Sequence, residues 1–192
     1  MSATKGLPYI LEDRNGSLTA TDFDDIYDRV FLRVAQAPQR SQHALSVIYD
    51  MGRRSASSRA DDYRHFRYNP SVVMQFGLDG SLGTVTFMNP AVSMPMGKYL
   101  RRASFLGGSL SRKFMATDGQ EYKWGNRIVE GQEWTCVSAD NILVAHYNLK
   151  PPRKHAYGSS GNILTIYEEY SHLAMEILAS LTIMRHIKKY NL

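Results

Sequence analysis

The sequence predicts a mainly β fold: a closed antiparallel β-barrel of roughly ten to twelve strands enclosing a hydrophobic C-terminal α-helix. Three observations lead there. Asn15-Gly16, Asp79-Gly80 and Asp118-Gly119 each lie between a pair of β-favouring runs and tolerate left-handed backbone, as hairpin turns require. The strand-like runs recur roughly every 8–15 residues, the spacing of sandwiches and barrels rather than of βαβ units. Finally, SHLAMEILASLTIMRHIKKY (Ser171–Tyr190) is apolar on every side from Leu173 to Met184, interrupted only by Glu176, Ser180 and Thr182. A helix without a wet face is buried all round. Its apolar stretch spans roughly 18 Å at 1.5 Å per residue, near the height of a small barrel. The competing arrangement is a helix on one sheet face that also meets a partner.

The elements follow in chain order. PYILE and SLTA flank the first turn, then DRVFLRVA and ALSVIYDM read as strands. Residues 53–62, RRSASSRADD, are small, polar and charged, the composition of a mobile surface loop. SVVMQF and GTVTFM flank the second turn, and SRKFMA and EYKW the third. In the third hairpin Gln120, Tyr122 and Trp124 alternate with Glu121 and Lys123, which predicts a half-buried strand with its aromatics inward. EWTCVSA, NILVAHYN and ILTIYEEY complete the strand set, with a second long loop at 150–161 (KPPRKHAYGSSG). Ser171 is the expected helix N-cap, and Arg185, His186, Lys188 and Lys189 complement the dipole at the far end. No repeat or linker divides the chain, so 1–192 reads as one domain.

Composition sets the class. The chain has 192 residues, a net charge of +5 and a pI near 9.3, long enough for a self-sufficient core and mildly basic. Its one cysteine, Cys136, excludes an internal disulfide and a cysteine-rich metal site. The N-terminus lacks a signal-peptide core, and no apolar run reaches the roughly 18 residues of a membrane span. A cytoplasmic protein, at most peripheral at membranes, is the expectation.

SRKFMATDGQEYKW (Ser111–Trp124), NILVAHYN (Asn141–Asn148) and ILTIYEEYSHLAMEILASLTIMR (Ile163–Arg185) together resemble a tubby-like family of uncharacterised fungal proteins. That family belongs with the tubby C-terminal, phospholipid scramblase and LURP-one-related proteins. Its pattern is a strand ending in Phe, an Asp-Gly turn, a Tyr-x-Trp strand, a strand entering an Ala-centred core and a closing hydrophobic helix. YILEDRNGSLTATDFDDIYDRV is similar to the family's opening, and agreement is better over 71–189 than over 1–50. The resemblance implies the barrel around its helix. It carries over no catalytic residue, and phosphoinositide binding on basic side chains only as an expectation, because that motif does not align here position by position.

The candidate sites begin with the cations. Lys98, Arg101, Arg102, Arg112 and Lys113 form one basic cluster, and Lys150, Arg153, Lys154 and His155 another. If each cluster converges, every side chain near an anionic bilayer contributes about 1 kcal/mol. The plainer reading is solvated charge that keeps strand edges from pairing. Arg53, Arg54, Arg59, Arg64 and Arg67, interleaved with Tyr63, Phe66 and Tyr68, could meet nucleic acid, but no recognised module accompanies them and Asp61 and Asp62 dilute the field. Cys136 and His146 on neighbouring strands offer a thiol–imidazole pair, against an inert core cysteine and a core-edge histidine. Asp22, Asp24, Asp25 and Asp28 lack the glycine and closing glutamate of a calcium loop. The histidines show no metal-ligand spacing, and no GxSxG, HExxH, P-loop or GxGxxG occurs. NPAVSMPMGKYL, with Met88, Met94 and Met96, is an adaptable apolar stretch for a partner, a lipid tail or a core gap. The expectation is therefore a non-catalytic binding protein without cofactor or metal, its leading ligand an anionic phospholipid or membrane surface. The alternatives are a protein–protein adaptor and an enzyme with a pocket at a barrel end.

Overall fold

The computed structural model describes residues 6–37, 43–57, 69–103, 110–151 and 158–192. Among these residues thirteen strands, with β2 at Thr21–Asp25, β3 at Phe31–Gln36 and β4 at His43–Asp50, form one antiparallel sheet in the order β7-β6-β5-β4-β3-β2-β1-β13-β12-β11-β10-β9-β8. Every neighbour in this order is also a neighbour in the chain, apart from β1 (Tyr9–Asp13) and β13 (Asn162–Ile166). The register of that pair, Leu11 opposite Leu164, joins an N-terminal meander to a C-terminal one.

The hairpins stand where the turn dipeptides put them. β5 (Val72–Gly77) and β6 (Leu82–Met88) meet at Asp79-Gly80, and β9 (Ser111–Met115) and β10 (Glu121–Asn126) at Asp118-Gly119. Only the glycine of each pair is left-handed, at φ 84° and 77°. The aspartate instead accepts the N–H two residues on, Ser81 or Gln120, each at 2.9 Å. These are therefore longer loops closed by a left-handed glycine, not two-residue turns.

The closed barrel is not found. The end strands β7 (Ala91–Pro95) and β8 (Arg101–Arg102) are consecutive in the chain, yet they do not pair, and the sheet stays open between them. The chain between them explains the opening. Met96–Tyr99 coils into a short helix, α2, which touches β6, β7 and β9 and so occupies the gap. The Tyr99 ring packs between Phe87 of β6 and Phe114 of β9, at centroid distances of 5.4 and 5.5 Å. A two-residue β8 leaves little strand to pair with in any case. Side chains, rather than a ladder of hydrogen bonds, span the seam.

The terminal helix is nonetheless enclosed. α3 (Ala174–Tyr190) buries residues on all its faces, among them Ile177, Leu178, Leu181, Ile183 and Ile187, in one core with Leu11, Phe23, Ile48, Met74, Phe114 and Trp124. Its polar interruptions are satisfied. Ser180 Oγ accepts from Trp124 Nε1 at 2.8 Å and donates to Ile177 O, and Thr182 Oγ1 donates to Leu178 O. Ser171 is not the N-cap. It lies in a 3-10 turn, Glu168–Leu173, and Leu173 precedes α3 without a side-chain cap. At the other end Asn191 is left-handed and its N–H returns to Ile187 O.

Candidate functional site

The basic side chains are arranged by strand alternation and register. Phe114, Tyr122 and Trp124 point into the core, so Lys113 and Lys123 point out. Register sets Arg101 of β8 opposite Lys113 of β9, and Lys113 opposite Lys123 of β10. Three cations thus cross three adjacent strands in one outward row, about 4.8 Å apart per strand. Lys98 on α2 is exposed beside them. Among the described residues Glu121 is the carboxylate that pairs with this row, accepting from Lys113 Nζ at 3.0 Å and Arg101 Nη2 at 3.2 Å. Four cations against one carboxylate leave the patch positive.

The other sequence candidates lie elsewhere. Arg112 turns inward, is buried, and donates to Leu100 O and Leu192 O at 3.3 and 3.1 Å. Burial first, then neighbouring Arg102, lowers its pKa. Arg102 is exposed at the sheet edge opposite it. Lys150 follows β12 (Leu143–Asn148), beyond β10 and β11 (Trp134–Ser138), and does not join the row. Arg153, Lys154 and His155 lie outside the described residues, as do Arg59, Arg64, Arg67, Tyr63, Phe66 and Tyr68 of the nucleic-acid candidate. Arg54, at the start of the four-residue helix α1 (Arg54–Ser57), is engaged with Asp22 and Asp24. Lys123 is the residue that sequence reasoning misses; its outward direction is legible there, but its neighbours are not.

Beside the row, the unpaired seam holds a cavity of about 380 Å³. Phe87, Val92, Met94 and Met115 supply apolar walls, exposed Lys98 and Arg101 stand at its rim, and Glu176 of α3 lies at its buried side. The adaptable NPAVSMPMGKYL stretch builds much of it. Glu176 accepts from Thr117 N at 2.9 Å and from Thr117 Oγ1, fastening the β9–β10 turn to the helix. Burial raises the Glu176 pKa despite these donors. A carboxyl raised on folding contributes its stability below the unfolded pKa and loses it as pH climbs through the folded value. Thermal melts between pH 4 and 8 (a window of about four units) are therefore expected to show the wild type losing stability relative to Glu176→Gln as pH rises, while His146 and His186, lowered by burial, act in the opposite sense in both proteins. An unchanged slope in the variant would assign the loss to another group.

The catalytic candidates separate. Register pairs Cys136 with Ala145, while His146 pairs with Thr135, so the thiol and imidazole point to opposite faces. Burial pushes the Cys136 thiol up, away from thiolate, and pulls the His146 imidazole down. The acidic run is matched by arginines: Asp22 with Arg33 at 2.8 Å, Asp24 with Arg14 at 2.5 Å and Asp25 with Arg29 at 2.7 Å. Among the described residues no group of three acidic, histidine or cysteine side chains could hold a metal ion.

Residues 28–190 match the model of DUF6593, a family of unknown function. No curated protein and no solved structure matches the chain.

Proposed function

We propose, on the premise that this chain belongs to DUF6593, that it is a non-catalytic binding module whose ligand is an anionic phospholipid surface. The observation that carries this reading is the register-aligned row Arg101–Lys113–Lys123 with Lys98 beside it. Isolated surface charges are screened within about 8–10 Å at physiological salt, whereas cations one strand apart act on the same headgroups. We place attachment as peripheral, on a cytoplasmic membrane face; among the described residues no helix is long and apolar enough to cross a bilayer. The kinship with tubby-like fungal proteins belongs to the same proposal. Its support is the run from Phe114 through Asp118-Gly119 to Tyr122 and Trp124, followed by an enclosed terminal helix, without a closed barrel.

Vesicle sedimentation tests it. At low salt the protein is expected to pellet with vesicles containing phosphoinositide or phosphatidylserine and to stay in solution with neutral ones. Lys113→Ala with Lys123→Ala is expected to weaken that partition roughly thirtyfold, about 1 kcal/mol per side chain. Equal pelleting with neutral and anionic vesicles would overturn the reading.

A further inference from the structure

We infer that the open seam between β7 and β8 is a binding site for one chain of an anionic single-chain amphiphile, tail in the cavity and head on Lys98 and Arg101. This rests on the anionic-lipid reading and deepens it, from a charged surface that meets a bilayer to a site that takes up one lipid molecule. At about 380 Å³ the cavity falls within the usual range for small-ligand sites, roughly 300–1,000 Å³. Phe87, Val92, Met94 and Met115 make its walls apolar, and methionine lets them fit a chain of irregular shape. Val92 and Met115 are 41% and 51% exposed, so the apolar walls reach the surface at the seam.

Charge orients the ligand. The two cations are at the exposed rim, Arg101 shared with Glu121 at 3.2 Å, and the acidic group that lines the cavity, Glu176, is on the buried side and committed to Thr117. An anionic head is therefore attracted outward and disfavoured inward, which leaves the apolar tail to enter.

The competing occupant of an unpaired sheet edge is an extended peptide, added as a further strand. β7 is poorly made for one. It is five residues long, with Pro90 immediately before it and Pro95 as its last residue, and neither proline has an N–H to give. Alternate N–H groups of the four residues between already face β6. β8, on the far side of the gap, is two residues long. An acyl chain asks nothing of these edges.

The test titrates the full chain with hexyl, octyl, decyl and dodecyl phosphate, each below its aggregation concentration, by isothermal calorimetry. Affinity is expected to rise roughly threefold to fourfold per added methylene, the value for burying CH₂ groups. Lys98→Ala with Arg101→Ala is expected to weaken dodecyl phosphate at least tenfold and to leave dodecanol unchanged. The uncharged replacement Val92→Gln with Met115→Gln, at two partly exposed positions, is expected to abolish the chain-length dependence while vesicle pelleting through Lys113 and Lys123 persists. Equal affinity for hexyl and dodecyl phosphate would overturn the inference and leave the surface reading standing. Uptake of a glutamate-rich peptide with no uptake of dodecyl phosphate would overturn it in favour of strand addition at β7. Chain-dependent uptake with no anionic-vesicle pelleting would keep the cavity and remove the membrane surface.

Discussion

Leu178→Asp is expected to leave no folded protein. Leu178 has 0% exposure and lies in the second turn of α3, within the single core. A carboxylate there finds no partner: the nearby polar groups, Ser180 and Thr182, are already bonded to Trp124, Ile177 and Leu178 O. Burying an unpaired charge costs many kcal/mol in principle, and in practice the site protonates or the chain unfolds. Loss of the leucine packing alone costs about 2–5 kcal/mol. Against a typical total of about 5–15 kcal/mol, the sum exhausts the stability. Circular dichroism and solubility on expression check it: loss of the near-ultraviolet signal and insoluble product are expected. A folded, soluble variant that had lost only membrane attachment would mean that α3 inserts into lipid, and its place inside the sheet would be wrong.

The reasons that this helix is readable in the sequence, and the seam is not, are physical. An all-apolar face pattern has one solution, burial all round, so α3 can be assigned from composition alone. Turn dipeptides act over a few residues, and Asp79-Gly80 and Asp118-Gly119 accordingly mark their hairpins, although the details of turn geometry differ. Closure is a different kind of property. Whether β7 pairs with β8 depends on how α2 and the Tyr99 ring fill the space between them, a three-dimensional contest that no local pattern records. The basic site divides in the same way. Alternation gives Lys113 and Lys123 a shared direction, and only the register puts Arg101, Lys113 and Lys123 in line. Arg112, inside the same sequence cluster, points the other way and braces Leu100 and the C-terminal Leu192.

Asp13 escapes sequence reasoning altogether, and its replacement carries the second-largest expected effect. In PYILEDRNG it reads as a polar residue closing a strand before an Asn-Gly turn. In the structure it is 0% exposed and gathers four other groups. Tyr147 donates its hydroxyl to Asp13 Oδ2 at 2.6 Å across 134 residues of sequence. Thr21 Oγ1 donates to Oδ1 at 2.5 Å, Gly16 N to Oδ1 at 2.8 Å, and Arg185 of α3 stands 3.6 Å away. Asp13 is the last residue of β1, the strand whose pairing with β13 joins the two meanders, so it ties that junction to the helix within. Asp13→Ala leaves the Arg185 guanidinium, 16% exposed, without its carboxylate and the Tyr147 hydroxyl without its acceptor. Breaking a buried pair from one side costs about 3–5 kcal/mol, because the remaining charge keeps its desolvation penalty. Urea denaturation is expected to show a loss of that size. Tyr147→Phe alone removes a hydroxyl and its one bond to Asp13, so about 1–2 kcal/mol is expected. In the double variant the two losses are expected to sum to more than is observed, since the Tyr147–Asp13 bond is lost in each single variant and can be lost only once. Strict additivity would mean that the two side chains do not act on each other, and the Tyr147–Asp13 bond would carry none of the junction's stability.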